Sequence, residues 1–250
     1  MQMNTQAVVI GSRDIDEEDR LLTLLSKDYG VIYAYAKSAN RLKNKLAPTT
    51  ELLCYSSFVL FKNKDRYTVD YADSLNMFFG LRKDIEKLSL ATYFAELSAT
   101  IAPHSEGAND FLRLLLNTLH LLEKGKRTGM FLKPVFELRA LTMAGYMPNL
   151  VACRDCACYE SDRMSFLFDS GELLCGDCMS KAAKQPVKAL NLPKGVLAAM
   201  RHIIYSPFER LFAFELSTEG LQYLGDVIEK YLIYQTEKNY ITLDFYKSLL

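Results

Sequence analysis

The sequence contains no hydrophobic run long enough to cross a bilayer. Half of its 250 residues are hydrophobic, but apolar stretches such as 58–61 are far shorter than the roughly 18 to 20 residues that a membrane helix needs. Residues 1–10 also lack the basic start, the apolar stretch and the cleavage site of a secretory signal. We therefore expect a cytoplasmic protein with a sizeable core, reduced thiols and no membrane partner.

The sequence also lacks net charge and the common catalytic motifs. Its 30 basic and 30 acidic residues cancel, so a role in binding nucleic acid would require a local patch of charge. The Gly-rich signatures of nucleotide-binding loops and the G-x-S-x-G motif of serine hydrolases are absent. We therefore expect a protein that is not an enzyme.

Residues 6–75 have the pattern of a small β-barrel. Short runs rich in β-branched and aromatic residues alternate with turn-forming or charged clusters, as strands require. Five strands are predicted, at 6–12, 20–26, 31–37, 52–62 and 67–74. A five-stranded antiparallel barrel within a domain of residues 1–80 is the expected arrangement.

After about residue 80 the apolar residues recur at the three-to-four spacing of helices. The first predicted helix buries one face, formed by Leu81, Ile85, Leu88, Thr92 and Ala95. Further helices are predicted with a cap at Asn109, over 128–144, from Pro193 to about 205, and with a cap at Ser217. The sequence thus predicts an α+β protein in which residues 81–250 form an all-helical domain.

Five of the six cysteines lie between positions 153 and 178. Four of them form two C-x2-C pairs separated by 18 residues, Cys153 with Cys156 and Cys175 with Cys178. This spacing is typical of a four-thiolate zinc site, in which the protein ligands complete the tetrahedron and leave no position for water. We predict one structural Zn²⁺ in a module at about 150–180.

Two other interpretations of these cysteines stay open. Cys158 could replace Cys156 as a ligand after a local shift, or the thiols could be buried or redox-active groups without a metal. The sixth cysteine, Cys54, stands alone in a strand-like run. It is predicted to be a core residue.

A zinc deaminase is a further alternative. His104, Ser105 and Glu106 read as H-x-E, which deaminases combine with a P-C-x-x-C motif. Ala152 instead of proline precedes Cys153, and a three-ligand site would leave the second cysteine pair unused. A solvated histidine in a turn is the ordinary interpretation of His104.

The segment 37–66 carries a local surplus of positive charge. Seven basic residues stand against Glu51 and Asp65, which leaves a surplus of five. The seven are Lys37, Arg41, Lys43, Lys45, Lys62, Lys64 and Arg66. Aromatic residues lie near them in the predicted strands, namely Tyr33, Tyr35, Tyr55, Phe58 and Tyr67. Small barrels bind single strands through a basic groove with aromatic platforms, so the segment predicts a nucleic-acid-binding site.

Taken singly, each of these lysines could be a solvated side chain and each aromatic a core residue, so the prediction rests on their grouping. An acidic cluster precedes the second predicted strand. It consists of Asp14, Asp16, Glu17, Glu18 and Asp19. Because negative charges repel phosphate, we expect this cluster to lie outside the groove.

Several short segments, in order along essentially the whole chain, resemble the bacterial RecO recombination-mediator family. They are AVVI at 7–10, EDRLL at 18–22, FELR at 136–139, GYMP at 145–148 and KSL at 247–249, together with the two cysteine pairs. Ser38 and Cys158 depart from the pattern, since the family commonly has glycine at these positions.

The resemblance implies an oligonucleotide-binding (OB) fold, a zinc-bearing helical domain and a role in DNA repair and recombination after DNA damage. It implies binding to single- and double-stranded DNA, strand annealing and association with the nucleoid. The implied partners are RecR, the C-terminal tail of the single-strand binding protein and, indirectly, RecA, whose loading the family assists. Lys133 and Arg139 flank an apolar helix face and are the candidates for contact with the tail. The main alternative is a zinc-ribbon protein of transcription or RNA handling that uses the same barrel for RNA.

Overall fold

The computed structural model describes residues 1–41, 44–64, 66–104, 106–182 and 188–250, except for the side chain of residue 182. The strands are β1 (Gln2–Asp14), β2 (Arg20–Ser26), β3 (Gly30–Ala36), β4 (Tyr55–Asn63), β5 (Arg66–Asn76), β6 (Asn149–Cys153), β7 (Met164–Leu167), β8 (Glu172–Cys175) and β9 (Ala189–Leu192). The helices are α1 (Leu46–Thr49), α2 (Ile85–Ile101), α3 (Asn109–Glu123), α4 (Gly129–Met143), α5 (Gly176–Ala182), α6 (Lys194–Tyr205), α7 (Thr218–Thr236) and α8 (Ile241–Lys247). No described helix combines the length and the apolar character needed to cross a membrane.

The chain divides into two compact units. Unit 1 comprises Met1–Arg127 and Tyr240–Leu250, and unit 2 comprises Thr128–Asn239. Unit 1 therefore contains α2, α3 and α8 in addition to the barrel. The prediction of separate domains at 1–80 and 81–250 stays a prediction.

The first five strands form a closed barrel in the order β1-β2-β3-β5-β4, which confirms the predicted architecture. One detail differs, because β3 and β5 pair in parallel, through Ala34 with Tyr67 and Tyr35 with Thr68. Alternating strand directions cannot be kept around a ring with an odd number of members. At least one parallel pair is therefore required in a five-stranded barrel.

Alternate side chains of the barrel strands point inward and form one apolar core. Its members include Val9, Leu22, Leu24, Ala34, Cys54, Phe58, Leu60 and Val69. The burial of Cys54 confirms its prediction as a core residue. Phe58 is also fully buried, so its prediction as a platform for bases is wrong.

The barrel strands differ from their predicted bounds where local geometry overrides pattern. β1 begins at Gln2 because Met3 and Thr5 already point inward. β4 begins only at Tyr55 because Leu53 takes a left-handed φ of 66° in the preceding turn. These differences leave the predicted number of barrel strands unchanged.

In unit 1, Asp84 caps α2, because its Oδ1 accepts hydrogen bonds from the N–H groups of Glu86 and Lys87, both at 3.1 Å. The predicted buried face of this helix is wrong at Ile85, which is exposed in the first turn. α3 begins at Asn109 itself, with Ala108 in the cap position.

In unit 2, Thr128 and Ser217 cap α4 and α7, and Pro193 precedes α6 as predicted. The helical region is confirmed, but it is not all-helical. Four short strands form a sheet in the order β6-β8-β7-β9. Strands of four or five residues are too short to reveal an alternation in the sequence.

Candidate metal centre and nucleic-acid interface

The small sheet of unit 2 brings the two cysteine pairs together. β6 ends at Cys153 and β8 ends at Cys175, and these strands lie side by side. The Sγ atoms of Cys153, Cys156, Cys175 and Cys178 all lie within 4.8 Å of one another, and those of Cys156 and Cys175 are 3.6 Å apart. Sulfurs bound to one zinc ion at about 2.3 Å would be about 3.8 Å apart in a tetrahedron. The cluster could therefore hold a metal ion.

Backbone N–H groups favour the thiolate form, which binds metals, at two of the four cysteines, whereas hydrogen bonds with neighbouring sulfurs raise the pKa of Cys178. The Cys175 N–H donates to Cys153 Sγ at 3.3 Å. Burial raises the pKa of the Cys153 thiol, but N–H groups of Cys175, Cys156 and Asp155 outweigh burial and lower that pKa to about 6. The N–H of Cys178 likewise lowers the pKa of Cys175. The donor set thus fits a thiophilic cation.

Cys158 lies next to this cluster. Hydrogen bonds with the sulfurs of Cys156 and Cys175, together with burial, raise the pKa of the Cys158 thiol to about 12. All six cysteines are free of disulfides. Because Cys158 reaches two of the four sulfurs, the interpretation in which it substitutes for Cys156 stays open.

The deaminase interpretation gains no support. His104 forms backbone bridges with Gly30 and Val31 in unit 1, and residue 105 lies outside the described residues. Within the described ranges, the one cluster of potential metal ligands contains four cysteines and no histidine.

Two grooves on the outer surface of the barrel border β5. The first, which we call the lysine groove, has a volume of about 530 Å³. Its lining comprises Lys37, Ser38, Asn44, Lys45, Leu46, Val69, Asp70, Tyr71 and Ala72. The structure therefore brings together two of the predicted DNA-binding lysines, Lys37 and Lys45, although eight positions separate them in the sequence.

The second groove, which we call the tyrosine groove, has a volume of about 520 Å³. Its lining comprises Ile15, Leu21, Tyr33, Tyr35, Arg66, Tyr67 and Thr68. Tyr33 and Tyr35 flank the inward Ala34 and so share the outer face of β3. Three of the predicted aromatic residues and one predicted arginine thus meet in a single groove.

None of the other predicted basic residues that the structure describes lines either groove. Lys62 Nζ lies 5.3 Å from the centroid of the Tyr67 ring, within cation–π range. Lys64 is exposed at the turn between β4 and β5, and residue 43 lies outside the described residues. Tyr55 donates its hydroxyl to Gln6 Oε1 at 2.8 Å and lines neither groove. Contact of the seven basic residues with nucleic acid stays a prediction.

The acidic cluster lines neither groove, as expected, but it lies against the basic loop. Arg41 Nη2 approaches Glu18 Oε1 at 2.5 Å. Asp19 Oδ1 accepts the Ser38 N–H at 2.7 Å, and Asp19 Oδ2 accepts the Tyr35 hydroxyl. The hydrogen bonds from Ser38 and Tyr35 lower the pKa of Asp19, and the bond to Asp19 raises the pKa of Tyr35 to about 12. Adjacent loops of opposite charge attract each other here.

Lys133 and Arg139 both have partners inside unit 2. Lys133 is 8% exposed, and its Nζ lies 3.0 Å from Glu137 Oε1 and 2.9 Å from Glu229 Oε2. Arg139 Nη1 donates to the carbonyl oxygens of Ile203 and Ile204 at 3.1 and 2.6 Å. Their contact with a partner's tail stays a prediction, and these internal bonds give it no support.

Tyr71 is 53% exposed in the lysine groove, although the sequence pattern did not indicate it as a site residue. Strict alternation along β5 would place it on the buried side with Val69. The register shifts between Val59–Tyr71 and Leu60–Val69, which leaves Asp70 as an extra residue. This β-bulge turns Tyr71 outward, and nothing in the sequence pattern marks it.

Comparison with known proteins agrees with this architecture. Residues 1–78 match the family model described as Recombination protein O N terminal, and residues 82–243 match Recombination protein O C terminal. DNA repair protein RecO from Acetivibrio thermocellus is 38% identical over 247 residues, which cover 99% of this chain and 97% of the relative. The protein of the same name from Alkaliphilus metalliredigens is 27% identical over 252 residues, with 100% of both chains covered. The barrel, the helical region with its cysteine cluster and these full-length matches establish that the chain belongs to the RecO family of DNA repair and recombination proteins.

Proposed function

We propose that this protein binds single- and double-stranded DNA through the two barrel grooves and anneals complementary strands. The observation that carries the proposal is the grouping of Lys37, Lys45 and Arg66 around exposed tyrosines on a molecule without net charge. Cationic side chains would contact phosphates while tyrosine rings stack on bases. Tyr33 and Tyr71, which are 55% and 53% exposed, are the rings most available for stacking.

Annealing on this surface would need no covalent catalysis. Two strands repel each other through their phosphates, and the cations of the grooves reduce that repulsion. Holding both strands on one protein also raises their local concentration. We therefore propose a mediator, not an enzyme, that acts in the cytoplasm at the nucleoid.

Family membership supports recombination partners for this chain. We propose RecR, the C-terminal tail of the single-strand binding protein and, indirectly, RecA, which the protein would help to load onto coated strands. Lys133 and Arg139 remain the candidates for the tail carboxylate, which would have to replace their present contacts.

We further propose that Cys153, Cys156, Cys175 and Cys178 hold one Zn²⁺. Four thiolates fill the tetrahedral positions that zinc prefers, so the ion would stabilise unit 2 and leave no site for an attacking water. The Sγ spacing and the lowered pKa of Cys153 support this assignment.

The proposal is tested by reversing three groove charges together, Lys37→Glu, Lys45→Glu and Arg66→Glu. If three phosphates lose their cations, the slope of log affinity against log salt for single-stranded DNA should become shallower by about 2. Annealing of complementary strands should fall with it. A matched control reverses three exposed lysines outside the barrel, Lys83, Lys126 and Lys230, at the same cost in net charge.

Equal losses in the two triple variants would contradict a binding site in the grooves. A parallel titration with RNA of the same sequence separates the alternative function. Preference for RNA without annealing of DNA would overturn the proposed role.

A further inference from the structure

The loop between β1 and β2 is joined to the basic loop after β3 by a set of polar contacts. Besides the Arg41–Glu18 pair, the Asn40 N–H donates to the Glu18 carbonyl and Asn40 Nδ2 donates to Asp14 Oδ1, both at 2.9 Å. Asp19 accepts from Ser38 and Tyr35 at the base of the same interface. One arginine of the predicted DNA-binding set is thereby held by a carboxylate.

Glu18 and Asp19 differ in how firmly they are held. Asp19 is 9% exposed and accepts two hydrogen bonds, so it can anchor the loop. The side chains of Arg41 and Glu18 are 61% and 47% exposed. Exposed ion pairs are weak, because water and salt screen them, so this pair can break while the Asp19 anchor remains in place.

The Glu18 carboxylate occupies the guanidinium group with which Arg41 would contact a phosphate. Both Glu18 oxygens lie 2.5 Å from the same nitrogen, Arg41 Nη2, and guanidinium N–H groups donate to carboxylate and to phosphate oxygens alike. We propose that Glu18 is an internal competitor for DNA phosphate, which holds Arg41 until a strand in the grooves displaces it. This inference rests on the proposed DNA-binding function.

The competition has a measurable consequence. In Glu18→Gln, Arg41 loses its ion-pair partner and keeps only the weaker attraction of Asp19. Its guanidinium then becomes available to a phosphate without an exchange of ion-pair partners. The affinity for single-stranded DNA should rise about two- to five-fold, the equivalent of one exposed ion pair. The salt slope should steepen by about 0.7, the contribution of one further phosphate on a single strand.

The experiment is a titration of labelled oligothymidine, across a salt series, with four variants of the full chain. Glu17→Gln is the matched control, since it removes the same charge from an exposed neighbour in the same loop. Arg41→Gln and the double variant Glu18→Gln/Arg41→Gln complete a thermodynamic cycle. We expect Glu18→Gln to exceed Glu17→Gln in affinity and slope, and we expect its gain to vanish in the Arg41→Gln background.

Equal gains for Glu17→Gln and Glu18→Gln would overturn the inference, because only the general charge of the loop would then matter. A gain that persists without Arg41, or no gain at all, would also overturn it. These outcomes leave the proposed function intact if the wild-type chain binds and the groove triple variant does not. Failure of the wild-type chain to bind DNA would defeat both.

Discussion

Unit 2 contains a buried lysine that lies between two glutamate carboxylates. Lys133 Nζ lies between the carboxylates of Glu137 and Glu229, and Glu137 is fully buried. Burial lowers the pKa of Lys133, but the two carboxylates outweigh burial and raise it overall, so the lysine stays charged. Removal of this one cation would leave negative charge in a region that water does not reach.

We expect Lys133→Met to lower the free energy of unfolding by about 3 to 5 kcal/mol, the usual cost of breaking a buried pair. The measurement is urea denaturation followed by circular dichroism. Lys230→Met, at an exposed position of α7, is the matched control and should change stability by less than about 0.5 kcal/mol. Similar small changes in both variants would argue against a buried ionic trio in solution.

Two phenylalanines of β4 differ in burial, so substitutions at the two positions should differ in their effect on stability. Phe58 is fully buried in the barrel core and Phe61 is 53% exposed. Phe58→Ala should cost about 3 to 5 kcal/mol in the free energy of unfolding, because it leaves a cavity among packed side chains. Phe61→Ala should cost less than about 1 kcal/mol. The reverse order, measured by thermal or urea unfolding, would place Phe58 on the surface.

At the scale of elements, the turn from β2 into β3 packs tightly on the segment after α2. Gly30 has a φ of 67°, and a Cβ there would lie 2.2 Å from the Pro103 carbonyl oxygen and 2.5 Å from that of Glu106. The Val31 N–H also donates to the Pro103 carbonyl oxygen at 2.9 Å. Glycine is therefore required both for its backbone conformation and for its lack of a side chain.

Gly30→Ala should be markedly more destabilising than Gly125→Ala, measured as the shift in the urea midpoint. Gly125 shares the left-handed conformation, with a φ of 62°, but a Cβ there would meet nothing within 4 Å. The control should lose about 1 to 2 kcal/mol through backbone strain alone. Gly30→Ala should lose about 1 to 3 kcal/mol more through overpacking. Equal losses would mean that the turn is not packed as described.

The elements that the sequence predicted well are those whose signals are local. β2, β3 and β5 lie within two residues of their predicted bounds, and α3, α4, α6 and α7 start within one residue of theirs. The sheet β6-β8-β7-β9 and the short helices α1, α5 and α8 escaped prediction, because segments of four to seven residues do not complete a recognisable period. The parallel pairing of β3 and β5 follows from closure of the ring, which no single strand encodes.

The residues of the candidate sites likewise fall into those with a local sequence signal and those that come together only in the folded structure. The four cysteines were predictable because metal ligands keep a characteristic spacing along the chain. Lys37, Lys45 and Arg66 were predictable as a cluster of charge, but their division between two grooves depends on strand order. Tyr71 depends on a bulge, and the Glu18–Arg41 pair depends on two loops that meet only after folding.

At the scale of the whole molecule, the two units should respond differently to loss of metal. Zinc binding contributes folding free energy only where the ligands lie, and all four proposed ligands belong to unit 2. Chelation should remove amide protection from β6 to β9 while β1 to β5 keep theirs, as measured by hydrogen exchange. Protection lost equally from both units, or from neither, would contradict a metal that stabilises unit 2.

Zinc content provides a chemical test of the same assignment. Metal analysis of the purified chain should give one zinc per chain, and Cys153→Ser should bind zinc much more weakly. Cys54→Ser is the matched control, because Cys54 lies in the barrel core and should leave the zinc content unchanged. Full zinc content in Cys153→Ser would call the ligand set into question and favour a different donor such as Cys158.

Of the strand pairings in the barrel, the parallel pairing of β3 and β5 has the fewest residue pairs among the described residues, namely Ala34–Tyr67 and Tyr35–Thr68. Each groove is lined from both sides of this pairing. Tyr33 and Arg66 line opposite sides of the tyrosine groove, and Lys37 and Tyr71 line opposite sides of the lysine groove. A polyanion bound across both sides would bind only the closed barrel and would therefore oppose separation of β3 from β5. If DNA binds in the proposed grooves, it therefore stabilises the barrel at the strand pair that has the fewest backbone pairings.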